Sequence, residues 1–188
     1  MNRTSVDHVY RAIRRELRFG VPYADFTRAL DTLLGRVTPV LLSEIASDPP
    51  ERARERLASL VGPSGFALFQ KVDHGAMLRT LAGRTVPSMT YVVGNVLLAS
   101  EMTRHHPMVG LYLPVRIHVC ESETKGVTVS YDVPSTTLAQ FESPPVDAVA
   151  SSLDARIEKL IDVAAALATR ARAARLRPTF RVAEGGRR

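Results

Sequence analysis

Asp73 and His74 stand side by side, and a carboxylate next to an imidazole can orient it or tune its pKa. Neighbours on a helix do not face each other, so the pair also reads as a helix cap, Asp73, followed by a first-turn histidine. A second set is Arg116, His118 and Cys120, which alternate with Val115, Ile117 and Val119. In a strand that alternation puts a guanidinium, an imidazole and a thiol on one face, suited to an anionic ligand or a metal ion. The same face also reads as a solvated surface or one buried in a dimer. Cys120 as a nucleophile with His118 as its base is a poorer geometry, because residues two apart on a strand sit roughly 7 Å from each other. His105 and His106, beside Met108, form a third set. With Cys120 they supply candidate ligands for haem or a transition metal, although two adjacent histidines serve as readily as the cationic end of a helix. Gly94-Asn95, a strand-to-helix turn, completes the group. The ligand-binding candidates are thus Asp73, His74, Gly94, Asn95, Arg116, His118 and Cys120, and the metal candidates are His105 and His106.

Several common chemistries are missing. The chain has no Gly-x-x-x-x-Gly-Lys-Ser/Thr phosphate loop, no Gly-x-Gly-x-x-Gly and no Gly-x-Ser-x-Gly nucleophile elbow. It has no His-x-x-x-His or Cys-x-x-Cys spacing either. No residue set assigns an acid, a base and a nucleophile, so the sequence points to a binding domain before an enzyme.

The elements that must position these residues follow from periodicity and turn chemistry. Val6, Tyr10, Ile13 and Leu17 predict a helix over residues 5–18, closed by Gly20 and Pro22. Asp25 opens a second predicted helix along Phe26, Leu30 and Leu33, and Thr38-Pro39 and Asp48-Pro49 open two more. After the break at Gly62-Pro63-Ser64-Gly65 the pattern changes. It predicts a strand over 65–72, a helix from Asp73 to Gly83, a strand over 89–93 and a helix carrying Leu98 and Met102. Strands over 111–121 and 127–132 follow as a hairpin, and a long helix covers 145–176. A hairpin requires antiparallel pairing. The fold class is therefore α+β, with helices packed on a mainly antiparallel sheet, an N-terminal helical extension and a long C-terminal helix. The expected organisation is an N-terminal helical extension over 1–62, an α+β domain over 63–168, and a basic, flexible tail over 169–188.

Four stretches occur in a telling order: Val72-Asp73-His74-Gly75, Tyr91-Val92-Val93-Gly94-Asn95, Leu111-Tyr112-Leu113-Pro114 leading to Glu121, and Tyr131-Asp132-Val133-Pro134. Over about residues 65–163 the chain resembles the bacterial domain-of-unknown-function 302 family. The resemblance implies a compact α+β domain, often dimeric, with helices on an antiparallel sheet, and it implies no settled activity. Where the family has Gly-Asn-Pro, this chain has Gly94-Asn95-Val96.

Composition sets the outer bounds. With 45% hydrophobic and 23% charged residues, the chain can bury a core without disulfides or a structural metal. The lone cysteine, Cys120, cannot form an intramolecular bridge, and charged residues precede any apolar run at the N-terminus. The uncharged stretch between Arg84 and Glu101 is shorter than a membrane span. A cytoplasmic location is expected. The net charge of +6 is carried mainly by arginine, and the arginine-rich C-terminus lacks interleaved aromatics, so nucleic acid is not the expected partner. The expected function is a dimeric binding domain that holds a small ligand or protein partner on the polar sheet face. The alternative is a haem- or metal-linked redox protein using the histidines and Cys120.

Overall fold

A computed structural model describes residues 3–176 of the chain. Six strands form one sheet: β1 (Arg14–Phe19), β2 (Gly35–Arg36), β3 (Ala67–Asp73), β4 (Ser88–Gly94), β5 (Val115–Glu121) and β6 (Val127–Asp132). Their order across the sheet is β1-β6-β5-β4-β3-β2. All neighbours are antiparallel except the short β2–β3 pair. The strict alternation in β5 and β6 sorts the two faces of the sheet. Ile117, Val119, Val127 and Val129 are fully buried on one side, while Arg116 and Asp132 are exposed on the other.

Among the described residues seven α-helices join the sheet: α1 (Tyr23–Leu33), α2 (Pro39–Ile45), α3 (Pro50–Ser59), α4 (His74–Ala82), α5 (Val96–Thr103), α6 (Pro134–Leu138) and α7 (Pro144–Leu176). The apolar face of the sheet is closed by α1 and α7. On α7 the stripe Val146, Ala150, Leu153, Ile157, Leu160, Ile161, Ala164 and Ala168 recurs every three to four residues and is buried throughout. Phe26 and Leu30 of α1 are equally buried, and Phe26 stacks on Phe19 of β1 at 5.9 Å. Each Val, Leu, Ile or Phe among them contributes about 1.5–3 kcal/mol by leaving water. No helix is long and apolar enough to cross a membrane among the described residues.

Local signals set the helix starts. Thr38 accepts a hydrogen bond from the Leu41 amide with Pro39 in the first turn. Asp73 accepts from the Ala76 amide at 2.8 Å, and Gly83, at φ +63°, closes α4. At α1 the chain does otherwise: Pro22 precedes the helix, and Asp25 lies buried in its first turn.

Two expectations are corrected. The predicted helix over 5–18 does not form; Arg14–Phe19 is strand β1, paired with β6 from Arg14–Asp132 to Phe19–Val127. Ile13, Arg15, Leu17 and Phe19 also fit a period of two, and the open edge of β6 supplies backbone partners that an isolated helix lacks. Val6 and Tyr10, counted as helix stripe, are exposed. The strand expected over 111–121 begins only at Val115, because Pro107–Tyr112 forms 3-10 turns. At the C-terminal end α7 continues to Leu176, where Arg172 donates to the Gly20 carbonyl at 2.9 Å and Arg175 pairs with Asp25. The remainder of the expected tail, 177–188, lies outside the described residues.

Candidate functional site

The face of the sheet opposite α1 and α7 is organised in rows by the strand register. One row runs Val72, Thr90, His118, Ser130, Glu16 across β3, β4, β5, β6 and β1. The next runs Ser88, Cys120, Thr128, Arg18. His118 therefore sits among four hydroxyls, those of Ser88, Thr90, Thr128 and Ser130. Val72, Arg116, Asp132, Arg14, Glu16 and Arg18 are exposed on this side, and His118, Thr128 and Ser130 are half-buried. The face is open to solvent but polar at its centre.

Hydrogen bonds link the centre into a chain. Ser88 Oγ lies 3.2 Å from His118 Nε2, and Thr90 Oγ1 lies 3.0 Å from His118 Nδ1. The same Thr90 oxygen lies 3.0 Å from Nε2 of His74, the first residue of α4. The two imidazole centroids are 5.7 Å apart. Helix α4 reaches this position because Gly75 lets its backbone close on Val86 and Ser88; a Cβ there would lie 2.6 Å from the Val86 oxygen.

The chemistry of this chain follows from proton counting. A hydroxyl donates one proton, and a neutral imidazole donates from one nitrogen and accepts at the other. If Thr90 donates to His118 Nδ1, then His118 Nε2 donates to Ser88 and His74 Nε2 donates to Thr90. In the reverse polarity Ser88 donates to His118, His118 to Thr90, and Thr90 to His74. Each polarity gives all three contacts one donor and one acceptor. Burial, and then the neighbouring His74, push the His118 pKa below its ordinary value, which favours the neutral ring that both polarities require.

The remaining sequence candidates divide. Cys120 is on the same face, but burial, and then Glu16, push its thiol pKa up, so it lacks the thiolate character of a nucleophile. Arg116 is exposed and lines a cleft of about 500 Å3 with Tyr10, Val92, Tyr112, Asp132 and Thr137. Asp73 does not pair with His74; its carboxylate is spent on the α4 cap. Gly94 and Asn95 lie at the opposite end of β4 from Ser88. Asn95 is consumed locally: its Oδ1 accepts from the Leu97 and Leu98 amides, and its Nδ2 donates to the Gly65 carbonyl at 3.0 Å. His105 is exposed, and His106 packs on Phe141 at 4.5 Å with no hydrogen bond to its buried Nδ1. Among the described residues no three His, Cys, Asp or Glu side chains gather as a metal site.

Ser88 and Thr90 were not singled out by the sequence reading. Their alternation with Met89 and Tyr91 in Ser-Met-Thr-Tyr already put them on the polar side of β4. Only the register with β5 puts them around His118.

The family model described as Domain of unknown function DUF302 matches residues 43–164, more than half of the chain. No curated protein matches the sequence. The crystal structure of an uncharacterized conserved DUF302 protein from Bacillus stearothermophilus shares the fold, with a TM-score of 0.57 over 80% of this chain and 97% of that one. Identity between the two is 13%.

Proposed function

We propose a binding function for this chain, which belongs to the DUF302 family: it holds a small anionic ligand on the open polar face of its sheet, as a homodimer. One observation carries the reading, the hydrogen-bonded line Ser88–His118–Thr90–His74 at the centre of a solvent-open face. A face that only met water would have no need of a mutually bonded polar network. Exposed Arg116, one step along β5, supplies a positive charge and a planar set of donors for a carboxylate or phosphate. The imidazoles and hydroxyls supply orientation. The homodimer is supported by α4, which borders this face and exposes Met77, Leu78 and Leu81. An isologous contact between two α4 helices would cover them without closing the centre of the sheet.

The test is titration with inorganic phosphate and with acetate, followed by 15N–1H NMR. Shifts confined to residues around His118 and Arg116, lost in the double variant Arg116→Ala/His118→Ala, are expected. Unchanged binding in the double variant sinks the reading, and a monomeric native mass removes the homodimer.

A second reading is a transition-metal or haem-linked role. His74 Nε2 and His118 Nδ1 both aim at the position of Thr90 Oγ1, 3.0 Å from each. Two imidazoles converging on one point make half of a four-ligand site. Metal analysis and an absorption spectrum of untagged protein decide this reading: stoichiometric metal or a Soret band supports it, and a colourless, metal-free preparation that refuses added zinc and haem removes it.

A further inference from the structure

Beyond the polar face, Gly94 and Asn95 border a second cleft of about 270 Å3 between α2, α5 and α7. Its walls include Leu42, Phe69, Val93, Leu98, Met102 and Leu153. We infer that this cleft is a binding site for a small apolar molecule, a monocyclic aromatic or a medium-length aliphatic chain, separate from the site around His118.

The wall leaves almost no polar side chain unsatisfied. Its polar side chains are those of Asn95, Ser100 and Thr103. Asn95 is engaged at both ends by the cap of α5 and the Gly65 carbonyl. Ser100 donates to the Val96 carbonyl at 2.8 Å, and Thr103 donates to the Ala99 carbonyl at 3.0 Å. Water in the cleft therefore finds few partners, and a water without partners is readily displaced by an apolar group. The cleft opens to solvent, and its volume leaves room for a ring of the size that enclosed apolar cavities of about 150 Å3 take up. The cleft is bounded by packed chain rather than by a loose loop. A Cβ on Gly94 would lie 2.9 Å from Pro114 Cβ and 3.3 Å from the Phe69 ring, so glycine lets these side chains form the wall. Leu113, Pro114 and Val115 line both this cleft and the one holding Arg116, and so partition an apolar compartment from a polar one.

Titrating the full chain with toluene and with 1-octanol, read by methyl NMR, tests the assignment. Saturable shifts of Leu42, Leu98, Met102 and Leu153 methyls are expected, with the resonances around His118 unmoved. Ala99→Leu, which fills the cleft from α5, weakens binding about tenfold or more, and Leu42→Ala, which removes wall without filling, weakens it less. Failure to saturate, or equal affinity in Ala99→Leu, overturns the site. So does a wild-type dimer that becomes monomeric in Ala99→Leu, because the cleft would then hold a second copy. Arg116→Ala/His118→Ala leaves toluene binding intact, so the two sites fail or stand separately.

Discussion

On the covered face of the sheet Ile117, Val119 and Val129 are fully buried beneath the helix layer, whereas one residue along each strand His118, Cys120 and Ser130 are reached by solvent. The two faces are built from the same strands and the same backbone hydrogen bonds. They differ in what lies above them. Packing against α1 and α7 makes the covered face a matter of volume and shape, where polar groups are costly. On the open face, polar groups survive because each is partnered by another or by water. The covered side carries the stability and the open side is free to carry recognition.

The largest break in this comparison comes from truncating the covered side. Ile157→Ala, at a position with 0% exposure, is expected to cost about 2–5 kcal/mol in urea unfolding, while Ser130→Ala across the sheet should stay within about 0.5 kcal/mol. Comparable losses at the two positions would mean that the open face is covered in solution. Next in size is Asp73→Ala, which removes the α4 cap and should cost about 1 kcal/mol, with Asp73→Ser recovering most of it. If ligand affinity falls in the serine variant while stability holds, Asp73 contacts ligand after all. Thr90→Val takes the shared hydroxyl from both histidines. A loss of about 0.5–1.5 kcal/mol is expected, and the imidazole 15N shifts of His74 and His118 should lose their coupling to each other.

The smallest effect is a pH dependence. Because the folded-state pKa of His118 is lowered, by burial first and His74 second, the unfolded chain takes up a proton there before the folded chain does. The stability held by neutral His118 is complete above the unfolded value, about 6.5. It is lost as pH falls from there through the folded value. His74 and Glu16 also face this ring in the sheet. Thermal melts of wild type and His118→Asn should therefore converge as pH drops from about 8 to about 5. Parallel curves would show that His118 takes up its proton equally in both states.

Much of the fold was legible wherever one local signal sufficed. The Thr38-Pro39 and Asp73 caps, the Gly83 stop, the β5–β6 hairpin and the α7 stripe all depend on residues within a turn or two of each other. Residues 5–18 are ambiguous from sequence because apolar spacing there fits both periods, and the deciding partner, β6, lies more than a hundred residues away. The candidate site was legible in half. Alternation placed Arg116, His118 and Cys120 on one face, but it could not tell that Asn95 is occupied as a cap.

By itself the sequence determined the caps that open α2 and α4, the buried stripe of α7 and the polar and apolar sides of β5 and β6. These follow from side-chain chemistry acting over one to four residues. The tertiary structure alone decided that the N-terminal segment is an edge strand, that Ser88 and Thr90 frame His118, and that His74 joins them from α4. Those juxtapositions depend on strand register and helix docking, which are set by burial summed over the whole core.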